Sequence, residues 1–183
     1  MKRAITVASL IMLALCNAAS VHALNLVTNG GFETGTFDGW TTSGSYIYVL
    51  NSNPFSGNYA AFMGTGWELG SISQSGILTT PGMTYQLSFN LNSSGGTPSE
   101  FMVNVNGQTL YSESNNGWHP YDFYSFIFTA GADPTELTFY ARNDVGGFNL
   151  DDVSVELVPE PSTFLLLGVG LVGVGIMRRR SKK

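Results

Sequence analysis

The stretch from residue 24 to residue 157 alternates apolar and polar side chains with a period of two, which is the pattern of half-buried β-strands. The clearest run extends from Tyr85 to Leu91, and no part of the stretch has a helical period. Strands are predicted in residues 25–28, 45–50, 59–63, 69–77, 84–91, 101–105, 108–111, 124–128, 137–142 and 148–157. Short strands separated by Gly, Asn and Ser turns predict an all-β domain, a sandwich or jelly roll.

Two local features refine this prediction. Asn106-Gly107 lies between two alternating runs and predicts a tight hairpin turn. In the last run the apolar parity switches near Asp151-Asp152, since Leu150 belongs to one parity and Val153 to the other. A β-bulge explains such a switch. We expect this bulge to put Asp151 on the side of the Val153 row, at the rim of the core.

The N-terminal residues have the pattern of a secretory signal peptide. Lys2-Arg3 is followed by an apolar segment and by small residues up to Ala23, which predicts export and cleavage after residue 23. Cys16 raises the alternative of a lipoprotein, but Leu15 stands where a lipobox has a small residue. Cleavage at Ala23 leaves a mature domain, residues 24–157, without cysteine, so that its stability depends on its core or on a metal.

The C-terminal residues, 158–183, combine three unlike features. Pro159, Glu160 and Pro161 precede an apolar segment of about residues 162–177, and a cluster of arginines and lysines ends the chain. This order closely resembles the PEP-CTERM sorting signal of Gram-negative bacteria. The resemblance implies that an exosortase removes the helix after transient anchoring in the inner membrane and releases or transfers the protein at the envelope. The alternative is an ordinary C-terminal membrane anchor.

The charge of the central domain excludes one class of partner. Residues 24–157 contain twelve Asp and Glu against the single Arg142, which gives −11, whereas the whole chain is −5 because the termini hold the other basic residues. An acidic surface repels phosphate backbones, so nucleic-acid binding is excluded. Acidity of this kind suits solubility outside the cell or the binding of cations.

Three stretches of the domain carry a family resemblance. They are residues 26–40, which include Asn29-Gly30-Gly31-Phe32-Glu33, residues 74–89, and residues 148–155. Their order and spacing are similar to those of galactose-binding-like jelly rolls, in particular carbohydrate-binding modules of the family 4/9/22 type. The resemblance implies a jelly-roll sandwich over nearly all of residues 24–157. A fold alone does not establish a function.

The resemblance also implies a structural calcium ion between the first and last strands. The residues that correspond here are the Gly31 carbonyl and the carboxylates of Glu33 and Asp151, with a further carbonyl from Asn58. Carboxylate and carbonyl oxygens are suitable calcium ligands. The alternative is that Glu33 accepts backbone hydrogen bonds at a turn and that no ion binds.

Exposed aromatic rings are the candidate sugar contacts, because sugars present apolar C–H faces together with many hydroxyl groups. The candidates are Tyr46, Tyr48, Trp67, Trp118, Tyr121 and Tyr140. Trp67 and Trp118 follow glycines in predicted loops, where binding residues often lie. The alternative for Trp40 and Trp118 is burial in the core at the corners of the sandwich.

A catalytic set is not evident in the sequence. His119 is the only histidine of the predicted mature chain, and the adjacent Asp151 and Asp152 make a poor acid/base pair. We therefore expect a non-enzymatic, exported carbohydrate-binding or adhesive module of the exopolysaccharide or biofilm matrix. A structural envelope protein without a specific ligand and, less favoured, a glycan-acting enzyme are the alternatives.

Overall fold

The computed structural model describes residues 24–64, 66–131 and 134–158, and these residues form a jelly-roll sandwich of two five-stranded antiparallel sheets. The first sheet has the strand order β1-β4-β9-β6-β7, and the second has the order β2-β3-β10-β5-β8. The strands are β1 (Thr41–Ser43), β2 (Ile47–Leu50), β3 (Ala60–Met63), β4 (Gly70–Ile77), β5 (Thr84–Ser94), β6 (Ser99–Val105), β7 (Gln108–Ser114), β8 (Trp118–Thr129), β9 (Thr135–Asn143) and β10 (Phe148–Leu157). The all-β prediction is confirmed.

The core lies between the two sheets and is rich in aromatic side chains. Phe89 and Phe148 of the second sheet pack against Phe101 and Phe139 of the first, with ring centroids 5.2–6.1 Å apart for the contacting pairs. Each of these four side chains is fully or almost fully buried. The alternation seen in the sequence thus corresponds to inward apolar and outward polar positions.

Most predicted strands are present, with shifted ends. Residues 25–28 form no strand, although the Leu26 N–H donates to the Val155 carbonyl, and the short strand β1 was not predicted. Its three exposed residues, Thr41–Ser43, have no apolar alternation. The Asn106-Gly107 turn joins β6 to β7, and both of its residues have positive φ (50° and 77°), as a tight hairpin turn requires.

The predicted bulge in the last strand is present, but it places Asp151 differently from our expectation. The register of β10 on β5 shifts between Asp151 and Ser154, and Asp152 has a φ of 50°. Asp151 pairs with Asn90, next to the inward pair Leu150–Leu91, and therefore points away from the core. The expectation that it lies on the side of Val153 is wrong, because the extra residue of the bulge is Asp152 and the faces change after Asp151.

The predicted signal peptide (residues 1–23), Pro159, Glu160, Pro161 and the apolar segment of about residues 162–177 lie outside the described residues. Among the residues that the structure does describe, no helix is long and apolar enough to cross a membrane.

Candidate functional site

The outer face of the second sheet carries a continuous row of side chains that crosses four strands. Tyr48 of β2 pairs with Phe62 of β3, Phe62 with Asn149 of β10, and Asn149 with Asn92 of β5. Their chain neighbours Met63 and Leu91 are fully buried in the core, so the four residues of the row point outwards. The row combines two aromatic rings with two amide side chains.

The ring of Phe62 lies flat against two glycines of this face. A Cβ atom at Gly64 would lie 2.5 Å from Cε1 of Phe62, and a Cβ atom at Gly147 would collide with the other edge of the same ring. Only glycine leaves room for the ring at both positions. The glycines therefore let Phe62 lie close to the backbone and form the floor of the face.

A second row runs beside the first and has aromatic residues at both ends. At one end, the backbone carbonyl of Tyr46 accepts a hydrogen bond from the Gly64 N–H, and at the other end Ser94 of β5 pairs with Trp118 of β8. In the middle, Ser94 and Gly147 exchange hydrogen bonds of 2.7–3.0 Å. Because β2 and β8 are four strand spacings apart, the two aromatic ends are separated by about 19 Å.

Asn92 connects the polar groups of the face. Its Oδ1 atom accepts a hydrogen bond from Asn149 Nδ2 (2.9 Å) and a longer one from Asn53 Nδ2 (3.5 Å), while its own Nδ2 donates to the His119 carbonyl (2.7 Å). Asn92 is only 9% exposed although it points away from the core. A network of this kind holds the amide groups in fixed orientations.

The loop of residues 51–59, between β2 and β3, folds over one end of the face. The ring of Phe55 packs on that of Tyr121 with centroids 5.4 Å apart, and the Tyr121 hydroxyl donates to the Asn53 carbonyl (2.7 Å). Burial, assisted by the carboxylates of Asp151 and Asp152, raises the pKa of Tyr121 above its usual value. Tyr121 thus remains a neutral donor that ties the loop to β8.

The structure brings four of the six predicted aromatic residues, Tyr46, Tyr48, Trp118 and Tyr121, to this side of the molecule, whereas Trp67 lies in the segment between β3 and β4. Tyr46 and Tyr48 are each 50% exposed, and Trp118 is 70% exposed. Trp67 is 83% exposed and follows Gly66, which lies against the Tyr46 ring. Tyr140 is in β9 of the first sheet, whereas Tyr48, Trp118 and Tyr121 are in strands of the second sheet.

The two tryptophans that we considered as core residues differ. Trp40 is buried: its ring packs against Phe32 and Phe139, and its Nε1 atom donates to the Asn29 carbonyl (3.2 Å). Trp118 lies instead in β8, opposite Ser94 on the outer face. Trp40 is therefore a core residue, and Trp118 is free to contact a ligand.

The predicted calcium ligands also lie close together, where the chain ends meet the loop of residues 51–59. The Glu33 carboxylate accepts hydrogen bonds from the N–H groups of Asn58 (2.8 and 3.0 Å) and Tyr59 (2.9 Å) and from Asn58 Nδ2 (3.2 Å). These bonds, led by that of the Asn58 N–H, lower the pKa of Glu33. Three donor groups therefore hold the carboxylate, and one of them, the Asn58 N–H, is shared between both oxygens.

Asp151 lies on the other side of the same loop and is completely buried. Its Oδ2 atom accepts the N–H groups of Phe55 (2.9 Å) and Ser56 (3.1 Å), and its Oδ1 atom accepts that of Asp152 (2.7 Å). Burial raises the pKa of Asp151 to about 6 in spite of these bonds. The carboxylate is thus short of positive charge.

This donor set fits a hard cation in kind. The carboxylates of Glu33 and Asp151 come from opposite ends of the domain, and a Cβ atom at Gly31 would lie 3.7 Å from the Glu33 side chain and 3.8 Å from Asp151 Oδ1. Backbone N–H groups hold both carboxylates in this structure. For Glu33 this is the arrangement expected if the carboxylate accepts backbone hydrogen bonds at a turn and no ion binds. In the described part of the chain, no group of three or more His, Cys, Asp or Glu is placed to hold a metal ion.

His119 lies in β8 rather than in the predicted loop, and two carboxylates surround it. Its Nδ1 atom is 3.4 Å from Asp122 Oδ2, and its Nε2 atom is 3.7 Å from Glu113 Oε1. Glu113 also accepts hydrogen bonds from the Tyr111 hydroxyl and Asn116 Nδ2. Since the Glu113 and His119 side chains are only 7% and 12% exposed, the cluster presents little surface to a substrate.

Sequence reasoning missed Phe55, Phe62, Asn92 and Asn149. A signal for Phe62 existed, because Ala61 and Met63 on either side have inward parity in a predicted strand and an aromatic residue between them points outwards. Asn92 and Asn149 occupy outward positions of their strands by the same rule. Phe55 lies in a loop, and nothing in its sequence indicated contact with Tyr121.

Two family models match the chain. A carbohydrate-binding domain of the 4/9 type matches residues 24–144, and the PEP-CTERM protein-sorting motif matches residues 157–180. No curated protein matches the chain.

Solved structures have the same fold at low sequence identity. TmCBM61 in complex with β-1,4-galactotriose has a TM-score of 0.62 and 20% identity, over 74% of this chain and 100% of that one. The CBM22-1 xylan-binding domain of Xyn10C from Paenibacillus barcinonensis has a TM-score of 0.52 and 18% identity, over 78% and 100%. The CBM22-1–GH10 modules of xylanase 10B from Clostridium thermocellum, complexed with xylohexaose, have a TM-score of 0.54 and 17% identity, over 72% of this chain and 28% of that one.

These matches agree with the architecture and with both resemblances seen in the sequence. The sorting motif indicates an exported protein that is directed to the cell envelope. The carbohydrate-binding model covers β1 to β9 and with them Tyr48, Phe62 and Trp118, whereas Gly147 and Asn149 follow its last matched residue. The chain therefore belongs to the carbohydrate-binding domain family of the 4/9 type and carries a PEP-CTERM sorting motif.

Proposed function

We propose that the domain binds a polysaccharide chain across the outer face of its second sheet. The observation that carries this proposal is the pair of parallel rows, Tyr48–Phe62–Asn149–Asn92 and Tyr46–Gly64–Gly147–Ser94–Trp118. Rings spaced over about 19 Å suit an extended ligand better than a single sugar. The flat rings stack on apolar sugar faces, while Asn92, Asn149 and Ser94 supply hydrogen bonds to hydroxyl groups.

The charge of the domain favours a neutral glycan. Arg142, the single basic residue of residues 24–157, is bound to Asp144 by two hydrogen bonds of 2.9 and 2.7 Å. It is therefore engaged already and belongs to β9 of the first sheet. A polymer of uronic acids would meet a strongly negative domain without a cationic partner, which lowers its affinity.

We propose that the domain binds its glycan without hydrolysing it. The carboxylates nearest to the face, Asp151 and Asp152, are engaged with the N–H groups of Phe55 and Ser56 and with the Ser56 hydroxyl. A glycosidase needs two carboxyl groups that flank an open cleft. Xylanase 10B suggests the usual arrangement, in which such a module accompanies a separate catalytic module.

We further propose the cellular setting. The chain is exported in a Gram-negative bacterium and is anchored transiently in the inner membrane. An exosortase then processes its C-terminal motif. The mature domain then acts in the exopolysaccharide or biofilm matrix. The sorting motif at residues 157–180 supports this route, and its test is the intact mass of the protein from its native host. Loss of residues 1–23 and of the residues beyond about Pro161 is expected, and recovery of the C-terminal arginines would indicate a plain anchor.

We also propose that calcium binds where Glu33 and Asp151 approach Gly31, with a carbonyl oxygen from Asn58. The ion would supply the positive charge that the buried Asp151 carboxylate lacks. It would also connect the two ends of the domain, because Glu33 lies near the N-terminal end of residues 24–158, before β1, and Asp151 lies in the last strand, β10.

The binding proposal is tested by affinity electrophoresis of residues 24–158 in gels that contain β-1,4-galactan, xylan or, as an acidic polymer, alginate. Retardation by a neutral polymer is expected, and Trp118→Ala should weaken it while the melting temperature changes little. Leu78→Ala is the control, since Leu78 is 75% exposed in the segment between β4 and β5 and belongs to neither row. Unchanged retardation of Trp118→Ala would move the site away from this face.

A further inference from the structure

The two sheets have four edge strands, and three of them are poor templates for pairing with another chain. β1 has 3 residues, β2 has 4, and β7 has 7 with the acidic Glu113 near its end. Short length and charge are the usual protections of a sheet edge. β8 is different, because it has 12 residues and pairs only with β5 in the described part of the chain.

The second half of β8 lacks these protections. Residues Phe123 to Thr129 contain no charged residue and no proline, whereas Pro120 and a register shift lie in the first half of the strand. Phe123 is 66% exposed and Ile127 is 58% exposed, both on the outer face. An uncharged segment of seven residues rich in aromatic and β-branched side chains favours strand pairing.

Along this segment, every second residue directs its backbone N–H and C=O groups to the free edge of the sheet. The Ala130 N–H donates to the Met83 carbonyl of the neighbouring chain segment, and the Val158 N–H donates to the Thr84 carbonyl on the other side of β5. Because hydrogen-bonding directions alternate along a strand, Tyr124, Phe126 and Phe128 direct their N–H groups at β5. The N–H and C=O groups of Phe123, Ser125 and Ile127 therefore point to the free edge.

We propose that this edge binds a second copy of the same chain, by antiparallel pairing of β8 with β8 around Ser125. A two-fold axis through this position pairs Phe123 of each copy with Ile127 of the other, both on the outer face. An aromatic ring opposite a β-branched side chain is a favourable cross-strand pair. The pairing joins the two second sheets into one ten-stranded sheet.

Two further features favour a second copy as the occupant. The domain has a net charge of −11, so most of its surface repels another copy. Residues 123–129, which form the proposed contact, are uncharged, and Asp122 lies at their margin. Ile127 also borders a cavity of about 370 Å³ between the ends of β7 and β8, with Leu110 and Phe128 in its lining. This cavity opens beside the free edge of β8, on the side of the first sheet, and leaves the edge uncovered there.

The pairing would place the two glycan-binding faces on the same side of one sheet, with the two Trp118 residues offset by about 14 positions, or about 46 Å, along the strand direction. This consequence depends on the proposed function, whereas the pairing itself does not. A dimer that binds no glycan would leave the pairing intact, and a monomer that binds glycan would remove only the pairing. The two proposals can therefore fail separately.

The test uses residues 24–158, which contain both sheets and all described core residues. The match to TmCBM61 covers the whole of that chain, so the same fold exists there without a further domain. Sedimentation velocity is measured between about 10 μM and about 1 mM, the range in which small interfaces associate. We expect the mass to double within this range. A monomer at every concentration, or fibres in place of a dimer, would overturn the proposal.

Variants locate the interface. Ile127→Lys should keep the protein monomeric throughout the range, and Leu50→Lys should dimerise as the wild type does. The control adds the same charge on the edge strand β2 of the same sheet, where Leu50 is 37% exposed. Ser125→Pro is a second variant, because it removes an N–H group that points to the free edge. It leaves the backbone hydrogen bonds to β5 in place and removes the bond from Gln86 Nε2 to Ser125 Oγ (2.7 Å), so Ser125→Ala, which removes only that side-chain bond, is its control. Dimerisation of Ile127→Lys and Ser125→Pro with wild-type affinity would place the interface elsewhere.

Discussion

Gly147→Ala tests the glycan-binding face without removing any ring or hydrogen-bonding side chain. A Cβ atom at this position would collide with the ring of Phe62, which covers Gly64 and Gly147. Gly147 has no left-handed φ, so the backbone tolerates alanine. The substitution therefore acts mainly by moving the Phe62 ring off its glycine floor and into the path of the ligand.

The expected magnitude follows from these contacts. Overpacking costs about 1–3 kcal/mol, and the lower end applies because the Phe62 ring is partly exposed and can turn away. About 1 kcal/mol lowers the melting temperature of a domain of this size by about 4 °C. A lost aromatic contact of about 0.5–1.5 kcal/mol weakens glycan binding by about 2- to 12-fold.

The assay is isothermal titration with galactan or xylan oligosaccharides, alongside thermal unfolding. Gly131→Ala is the matched control, because no atom lies within 4 Å of the added Cβ. Phe62→Ala completes a double-mutant cycle. If Gly147 acts through the ring, Gly147→Ala should have no further effect on binding in the Phe62→Ala background. An equal loss in both backgrounds, or unchanged affinity of Gly147→Ala, would refute the role of Phe62.

Three further predictions concern the folded domain. Trp40→Ala should destabilise it by about 3–5 kcal/mol in urea unfolding, since Trp40 is buried against Phe32 and Phe139; a cost below about 1 kcal/mol would contradict this packing. Glu33 has a folded-state pKa below its ordinary value of 4.5, so its contribution to stability is present above that value and is lost as the pH falls through the folded-state pKa. Glu33→Gln should therefore reduce the loss of stability on acidification, measured as the melting temperature against pH. The same loss in the wild type and in Glu33→Gln would contradict the role of the Asn58 and Tyr59 N–H groups. Calcium at a hundredfold excess over its Kd should add about 2.7 kcal/mol, measured as a rise in melting temperature that chelator reverses; equal melting points with and without calcium would exclude the ion, and a full response in Glu33→Gln would place it elsewhere.

The sequence by itself determined most of the strands and several turns, because these depend on neighbouring residues. Alternation along residues 85–91 made one face of the strand apolar whatever it packs against. Asn106-Gly107 tolerates the positive φ of a tight turn, and the change of parity at Asp151-Asp152 required an extra residue in β10. The excess of acidic residues likewise predicts, without any structure, that the domain does not bind nucleic acid.

The tertiary structure decided which of these residues meet. Trp40 and Trp118 are the same residue type, yet one fills the core and the other lies on the outer face, because the register of β8 on β5 shifts before it reaches Ser94. The face at Phe62 exists only where Gly64 and Gly147, 83 positions apart in the chain, come together beneath one ring. Asp151 is likewise buried by a loop from the other end of the domain. Such contacts depend on strand order and on sheet register, and local alternation specifies neither of them.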